Sequence, residues 1–156
     1  NMMVGSYDDK AFLVHDALVA SGKKGQKTGS GFYIHDPATK SKTENPEVEE
    51  LAVKIAEEHG IKRREINAQE IEDRCIYALI NEGFKIVEEG IALRASDVDV
   101  VFAHGFGFPR YRGGPLHYAE QVGLEKVLKR INEFADLYGS KWWTPSKLLV
   151  ENSRKN

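Results

Sequence analysis

The segment "NAQEIEDRCIYALINEGFKIVEEGIALR", residues 67–94, constrains the fold most, because its apolar residues recur at helical spacing along its whole length. They form two adjacent stripes, which are Ile76, Ile80, Phe84, Val87 and Ile91, and Ile71, Cys75, Leu79, Ile86 and Gly90. The remaining side carries Glu70, Arg74, Tyr77, Asn81, Lys85 and Glu88. A surface helix has a narrower apolar face than this. We therefore expect a central helix from Asn67 to Arg94, with close approaches to neighbouring helices at Gly83 and Gly90.

Start and stop signals predict further helices on both sides of this segment. Asn45, Pro46 and the acidic residues after them suit a helix N-terminus, and Asn67 with Glu70 resembles a capping box. Ser96 with Asp99 forms a second box-like start. The expected helices cover residues 9–22, 46–59, 67–94, 96–103, 115–123, 124–139 and 145–153. No stretch alternates with period two long enough to require a sheet, so the fold class is all-α.

The segment between Gly22 and Pro46 is rich in Gly, Lys, Thr and Ser, which is typical of a linker. A phosphate-binding loop is the alternative, because lysines and bare backbone amides suit anions. The segment lacks the order of a P-loop, follows no apolar strand and opens no helix. We favour a linker that docks Phe32 and Tyr33.

Composition excludes several function classes. The chain has 156 residues, enough for one domain, and its 22 basic and 24 acidic residues give a formal net charge of −2. Such a balance does not favour nucleic acid or an anionic membrane as partner, and no apolar run is long enough for a membrane span. The first residues lack the pattern of a signal peptide, so we expect them to come from the middle of a longer chain.

Cysteine and histidine usage adds little chemistry. Cys75 is the one cysteine, which excludes an internal disulfide and suggests a reducing compartment. Its place on an apolar stripe favours an inert core residue over a nucleophile. The five histidines show no spacing typical of metal ligands, so we expect no metal site.

Two places could bind or react. Glu82, beside Asn81 at the edge of the apolar arc, is expected to be half-buried, either as a general base or, more in keeping with such positions, as a structural carboxylate. Arg110 and Arg112 flank Tyr111 in the glycine-rich loop 105–114. They suit a phosphate or carboxylate, or are simply solvated or helix-capping arginines. We expect this loop to turn the chain first and to contact a ligand second.

Two stretches together carry a family resemblance. "KTGSGFYIHDP" and "IEDRCIYALINEGFKIVEEGIALRASDVDVVFAHGFGFPRYRGGPLHYAEQVGL" resemble the C-terminal part of the multifunctional enoyl-CoA hydratase/3-hydroxyacyl-CoA dehydrogenases of fatty-acid β-oxidation. The form "RYRGGPLHYAEQVGL" is similar to the peroxisomal and bacterial members. The resemblance covers nearly the whole chain and implies a helical bundle.

The resemblance also implies how the chain divides into repeats and which domain of the family carries the catalytic residues. Residues 1–45 would be the tail of a preceding helical repeat plus a linker, and residues 46–156 the C-terminal repeat. The family's NAD and its catalytic His and Glu belong to a Rossmann domain, which the sequence does not contain, so we expect no bound cofactor, no catalytic residue and no activity of this chain alone. The resemblance implies that the first-repeat type of helical domain has an Asn-Arg pair whose Asn contacts substrate. Arg74 matches the Arg of this pair, whereas Asp73 stands in place of the Asn, which speaks against a direct substrate role for this repeat.

The resemblance names residues and partners as expectations. The residues expected at an acyl-CoA site or at the contact between repeats are Arg74, Asn81, Glu82, Arg110 and Arg112. The partners would be the preceding repeat, the Rossmann domain and acyl-CoA, in a peroxisome or, alternatively, a mitochondrion or a bacterial cytoplasm. The alternative function is a free-standing helical interaction or acyl-CoA-binding module. Apolar surface left uncovered on the long helix predicts a homodimer, unless residues 1–36 fold back over it.

Overall fold

The computed structural model describes residues 12–155, and these form eight α-helices and one antiparallel pair of short strands. In chain order the elements are α1 (Leu13–Ala20), β1 (Tyr33–His35), β2 (Lys42–Glu44), α2 (Pro46–Glu58), α3 (Ala68–Glu88), α4 (Ala95–Gly105), α5 (Pro115–Val122), α6 (Leu124–Tyr138), α7 (Ser140–Trp143) and α8 (Lys147–Ser153). The all-α prediction is confirmed. The start of the first expected helix, residues 9–11, lies outside the described residues.

The chain divides into two compact units, Asn1–Glu65 and Ile66–Asn156. In the first unit α1 packs against α2, and β1 pairs with β2 so that Ile34 lies opposite Thr43. The side-chain amide of Asn45 connects the segment before β1 to the start of α2. Its Nδ2 donates to the Gly31 carbonyl at 2.7 Å, and its Oδ1 accepts from the Glu47 N–H. The expected boundary between residues 45 and 46 stays a prediction about how the repeats divide.

The prediction of a linker between Gly22 and Pro46 is wrong for most of that segment. A 3₁₀ turn at Gln26–Thr28 is followed by the hairpin of β1 and β2. The Thr28 hydroxyl holds the turn, because it accepts from the Lys24 N–H at 2.8 Å and lies 3.0 Å from the Ser30 carbonyl. Phe32 and Tyr33 are exposed in the described structure and do not dock as expected.

Helix α3 is the central element of the second unit, as the sequence predicts. It packs against α4, α5, α6, α7 and α8. The buried apolar cluster of this unit comprises Tyr77, Ile80, Phe84, Val98, Leu116, Ala119, Leu124, Val127, Ile131, Phe134, Trp143 and Leu149. Close packing at Gly83 is confirmed, since a Cβ there would lie 3.0 Å from Leu116 Cδ2 and 3.3 Å from Val98 Cγ1.

The burial of α3 differs from its sequence pattern. The supposedly polar side faces the core, with Tyr77 5% and Asn81 1% exposed. The outer part of the second stripe is exposed instead, including Ile71 and Cys75, so the prediction of a core cysteine is wrong. Buried polar groups are tolerated where hydrogen bonds replace their water, and hydrophobic periodicity does not register such partners.

Helix α3 also ends six residues before Arg94, where the apolar pattern would have extended it. Gly90 adopts a left-handed φ of 71°. The Ile91 N–H then donates to the Ile86 carbonyl at 3.0 Å and the Gly90 N–H to that of Val87 at 3.1 Å, the pattern of a Schellman motif. Gly90 therefore stops the helix. A close approach there is ruled out within the described residues, because a Cβ at position 90 would meet no atom within 4 Å.

The start of α5 depends on a side chain of α4. The Asp99 carboxylate accepts from the Leu116 N–H at 2.7 Å and from the His117 N–H at 3.1 Å. Pro115 occupies the first helical position, where a missing N–H costs nothing. The expected box of Ser96 and Asp99 is therefore wrong: α4 begins after Arg94, and Asp99 caps the next helix instead of its own.

The last helix also starts differently from the sequence prediction. Thr144 and Pro145 are not its cap and first residue, because α7 occupies Ser140–Trp143 and α8 begins at Lys147. Ser146 is the N-cap, and its hydroxyl accepts from the Leu149 N–H at 3.4 Å. No helix within residues 12–155 is long and apolar enough to cross a membrane.

Gly114 leads to a first prediction, because it combines a φ of 135° with close contact to Asp99. A Cβ at position 114 would overlap the Asp99 side chain and lie 2.6 Å from its Cα. We expect Gly114→Ala to lower the free energy of unfolding by about 3 kcal/mol, from backbone strain and overpacking together. Urea denaturation followed by circular dichroism measures it.

Gly105→Ala is the matched control for this measurement. Gly105 ends α4, has no positive φ and has open space around its Cα. This variant should be neutral or slightly stabilising. Equal stability of the two variants would contradict the role given to Gly114.

Candidate functional site

The glycine-rich loop places its two arginines in different surroundings. Arg110, Tyr111 and Arg112 form a 3₁₀ turn in which Tyr111 is 84% exposed. Arg112 Nη1 lies 3.2 Å from Glu72 Oε1, and its guanidinium covers the Tyr118 ring at 4.7 Å. Arg110 is exposed and makes no side-chain hydrogen bond or ion pair with any residue in the described range 12–155. Arg112 thus anchors the turn to α3, and Arg110 extends from it.

Arg74 belongs to the contact between α3 and α6. Its guanidinium lies 4.3 Å from the centre of the Tyr138 ring. The Tyr138 hydroxyl donates to Glu70 Oε1 at 2.7 Å, which satisfies a carboxylate that is only 9% exposed. Glu70 is therefore the buried carboxylate of α3, a role that sequence reasoning gave to Glu82.

Glu82 is not half-buried. Its side chain is 63% exposed and forms an ion pair with Lys85 at 4.0 Å. An exposed carboxylate in water lacks the surroundings that raise the basicity of a catalytic group. The geometry therefore gives no support to a general base at this position.

Asn81 and Glu88 together hold the N-terminus of α8. Asn81 Oδ1 accepts from the Ser146 N–H at 2.9 Å, and its Nδ2 donates to the Thr144 carbonyl at 2.9 Å. Glu88 Oε2 accepts from the Ser146 hydroxyl at 2.7 Å and from the Lys147 N–H at 2.8 Å. These contacts satisfy the donors that a helix N-terminus leaves open. Asn81 therefore has a structural role inside the second unit, with both its amide oxygen and its amide nitrogen hydrogen-bonded.

The five candidate residues do not form one site. No hydrogen bond or ion pair joins any two of Arg74, Asn81, Glu82, Arg110 and Arg112 in the part of the chain that the structure describes.

A cleft between α3, α5 and α6 brings together residues that sequence reasoning did not combine. Its volume is about 500 Å³, and its walls consist of Gln69, Asp73, Tyr77, Tyr118, Val122, Lys126, Lys129, Arg130 and Glu133. We call it the α3–α5–α6 cleft. The sequence offers one signal, the spacing that puts Lys126, Lys129 and Arg130 on one face of α6. The approach of α3 to that face is a tertiary feature.

Charges in the cleft are partly paired. Arg130 Nε lies 3.1 Å from Asp73 Oδ2, and its Nη1 lies 2.8 Å from Glu133 Oε2. Gln69 Nε2 donates to the other Asp73 oxygen at 2.8 Å. Burial raises the pKa of Tyr77 to about 12, with a further contribution from the Asp73 charge. The Tyr77 phenol is therefore protonated at every physiological pH.

The described residues do not fit a metal or a dinucleotide. Within residues 12–155 no group of three or more His, Cys, Asp and Glu side chains is placed to hold a metal ion. The glycine-rich segment Gly25–Gly31 closes a turn and enters β1 instead of opening a helix. A dinucleotide needs the helix N-terminus that follows such a loop.

Similarity to known proteins identifies the family of this chain. Residues 71–156, which include almost all of α3 to α8, match the model of the 3-hydroxyacyl-CoA dehydrogenase C-terminal domain. The chain belongs to this family. The match confirms the resemblance that the sequence motifs indicated, and the helical bundle is the fold expected of this 3-hydroxyacyl-CoA dehydrogenase C-terminal domain.

Known relatives are much longer than this C-terminal domain. The chain is 43% identical over 122 residues to the peroxisomal bifunctional enzyme of Danio rerio, covering 78% of the chain and 17% of the relative. It is 33% identical over 137 residues to the fatty acid oxidation complex subunit alpha of Vibrio campbellii, covering 88% of the chain and 18% of that subunit. The chain thus spans less than a fifth of either relative.

A solved structure has the same fold. The crystal structure of the dehydrogenase part of multifunctional enzyme 1 from C. elegans matches with a TM-score of 0.66 and 25% identity. The match covers 89% of this chain and 32% of that one. The structural match therefore extends beyond residues 71–156 and includes residues of both units.

The capping of α8 generates a prediction about acid stability. The hydrogen bond from Ser146, with those from the Leu148 and Lys147 amides, lowers the pKa of Glu88 below its ordinary value of 4.5. A carboxylate with a lowered pKa stabilises the fold above its unfolded pKa, and that stabilisation is lost as the pH falls through the folded pKa. Glu88→Gln should therefore lower the melting temperature at neutral pH and make little difference in strong acid.

Thermal melts of both proteins across the acid range measure this difference. Glu120→Gln, at an exposed carboxylate of α5, is the control and should track the parent at every pH. A Glu88→Gln deficit that stays constant into strong acid would show that the Glu88 charge is not the cause.

Proposed function

We propose that this chain is a non-catalytic helical domain of an NAD-dependent 3-hydroxyacyl-CoA dehydrogenase of fatty-acid β-oxidation. It packs against the preceding helical repeat and helps to form the acyl-CoA site. The observation that carries this proposal is that the buried polar side chains of the second unit are committed to structural contacts, whereas many apolar side chains remain exposed.

The commitment of the polar groups supports a structural role. Glu70 bonds to Tyr138, Asn81 to the residues before α8, and Asp99 to the start of α5. Catalytic groups need free lone pairs or protons that face a substrate. These side chains hold helices in place instead. The hydride-transfer chemistry and the NAD site are accordingly assigned to another part of the parent enzyme.

Exposed apolar side chains support packing against another repeat. They cluster in sequence around α4: Ile91 and Leu93 before it, Val100 and Val101 on it, and Phe106 after it. Leu93 is 88% and Phe106 is 74% exposed. Apolar surface of this kind marks an interaction site in a soluble protein. We assign it to the preceding repeat of the parent chain.

Three of the five candidate residues suit the edge of an acyl-CoA site or a contact between repeats. Arg110 is exposed and free to pair with an anion, and Arg112 positions its turn. Arg74 retains a partly exposed guanidinium over Tyr138. Asn81 and Glu82 are not part of this proposal, because Asn81 is buried and engaged and Glu82 lies in open solvent.

The alternative, a free-standing helical interaction or acyl-CoA-binding module, draws on the exposed turn of Arg110 and Tyr111. The exposed residues around α4 favour the first proposal, because a free-standing module has no repeat to cover them.

We also propose a peroxisomal location, because the Danio rerio relative is named as a peroxisomal enzyme. The Vibrio relative supports a bacterial cytoplasm as the alternative. A mitochondrial location rests on the general family resemblance.

The proposed absence of independent catalysis gives a direct test. The purified chain, mixed with acetoacetyl-CoA and NADH, should consume no NADH above the blank, because none of its committed polar groups can act on the substrate. Absorbance at the nicotinamide band follows the reaction, and a complete 3-hydroxyacyl-CoA dehydrogenase serves as positive control. Turnover comparable to the complete enzyme would refute the proposal.

The exposed residues around α4 predict self-association when the preceding repeat is absent. A second copy is the nearest substitute for that repeat, and two-fold pairing is the commonest closed arrangement. We expect a homodimer at high concentration and a monomer on dilution, measured by sedimentation velocity over a hundredfold concentration range.

Two single substitutions distinguish association through this surface from non-specific association. Val101→Lys, on α4, should keep the chain monomeric at all concentrations. Leu137→Lys, at a side chain of α6 that is 61% exposed, should leave the dimer intact. If the unsubstituted chain is monomeric at every concentration, the exposed packing surface is rejected, and the result indicates that residues 1–36 cover it.

A further inference from the structure

The α3–α5–α6 cleft contains hydrogen-bond donors that nothing in the proposed function uses. Tyr77 is only 5% exposed, yet its hydroxyl makes no hydrogen bond with any residue in the range 12–155. No fully buried side-chain oxygen or nitrogen of the described residues lacks a partner. The Tyr77 oxygen is therefore accessible to solvent, and the cleft that Tyr77 lines gives access to it.

Tyr118 presents a second phenol on the opposite wall, from α5. It too makes no hydrogen bond within the described residues. The guanidinium of Arg112 covers its ring at 4.7 Å, which limits the orientations that the ring can adopt. Tyr77 of α3 and Tyr118 of α5 thus line one cleft, and the stacked Arg112 holds the second ring.

The positive charges of the cleft are divided between paired and unpaired groups. Arg130 is occupied by Asp73 and Glu133. Lys126 and Lys129 line the same cleft one helical turn apart on α6, and neither has an acidic partner within 4 Å among residues 12–155. Because both carboxylates are already neutralised in part by Arg130, the two ammonium groups give this end of the cleft a net attraction for an anion.

The two ammonium groups and the Tyr77 hydroxyl suit a phosphate group better than they suit a carboxylate. A phosphate accepts several hydrogen bonds at once and carries the charge that two lysines balance, whereas a carboxylate has room for fewer such partners. The protonated Tyr77 phenol adds a neutral donor, because its pKa of about 12 keeps the proton on the oxygen. The volume of about 500 Å³ accommodates a diphosphate and the group attached to it.

We propose that the α3–α5–α6 cleft binds a phosphate-bearing ligand, with the ammonium groups of Lys126 and Lys129 on the phosphate oxygens and the Tyr77 hydroxyl donating to one of them. This site is separate from the exposed residues around α4 and from the Arg110 turn. Its ligand chemistry has two sources: the diphosphate of a coenzyme A moiety or a free diphosphate.

Calorimetric titration of the whole chain at low ionic strength tests the site, with inorganic pyrophosphate in one series and coenzyme A in the other. Lys126→Ala with Lys129→Ala should weaken binding by about tenfold or more, because it removes two charge-assisted contacts. Tyr77→Phe should weaken it by about tenfold, since one hydrogen bond to a charged phosphate oxygen is lost and the ring is retained.

The control must remove equal charge elsewhere. Lys62→Ala with Lys155→Ala changes the net charge of the chain by the same amount at two exposed positions outside the cleft. This variant should bind as the parent does. Urea denaturation of all variants checks that folding is retained, and Tyr77→Phe is expected to fold because no internal hydrogen bond is lost.

The outcomes distinguish coenzyme A from a free diphosphate as the ligand, and they show whether the proposal fails. Loss of affinity for coenzyme A as well as pyrophosphate in the cleft variants assigns the site to the coenzyme, and loss for pyrophosphate alone assigns it to a free diphosphate. Absence of binding at millimolar concentrations of both ligands, or equal weakening in the control variant, would overturn the proposal. None of these results depends on the dehydrogenase or dimerisation experiments.

Discussion

The second unit depends on helices whose N-termini are capped by side chains of other helices. Asp99 of α4 accepts hydrogen bonds from the first amides of α5, and Asn81 and Glu88 of α3 do the same at the start of α8. Helices of seven or eight residues, such as α8 and α5, are too short to persist in water by themselves. Their caps therefore do more than satisfy amides, because each also sets where one helix begins relative to another. The glycine pair before Pro115 follows from this constraint, since Asp99 can reach the α5 amides only where position 114 has no side chain.

This use of polar groups bears on function. A bundle in which Glu70, Asn81 and Asp99 are all buried and bonded gains specificity of packing, because each of these groups needs its particular partner. The chemistry that the domain can contribute lies at its surface, in apolar residues around α4 and in cationic residues that have no internal partner. In the function proposed above, the apolar residues serve the contact with the preceding repeat and the cationic residues serve a charged ligand.

The α3–α5–α6 cleft illustrates how a pairing network leaves some charges available. Arg130 forms ion pairs with Asp73 and Glu133, and Gln69 donates to the second Asp73 oxygen. Lys126 and Lys129 therefore have no acidic partner within 4 Å among residues 12–155. The family resemblance implies a substrate-contacting Asn at the place of Asp73 in the first-repeat type of helical domain. In this chain Asp73 is instead part of an ion pair between α3 and α6. Asp73 thus contributes to the contact between helices in this chain.

The sequence by itself determined the helical class, the family and most helix positions, because these depend on local information. Asn45, Asn67, Pro115, Gly123 and Gly139 mark helix ends through the chemistry of their own few neighbours, and the structure places helix ends at each of them. Tertiary structure alone decided which face of α3 is buried, where α4 and α8 begin, and which charged groups share a cleft. Asn81 and Asp99 read as polar surface or as a local cap until their partners 65 and 17 residues away are known. The physical reason is that burying a polar group costs free energy only when it lacks a hydrogen bond, and such partners come from segments that only the fold brings together.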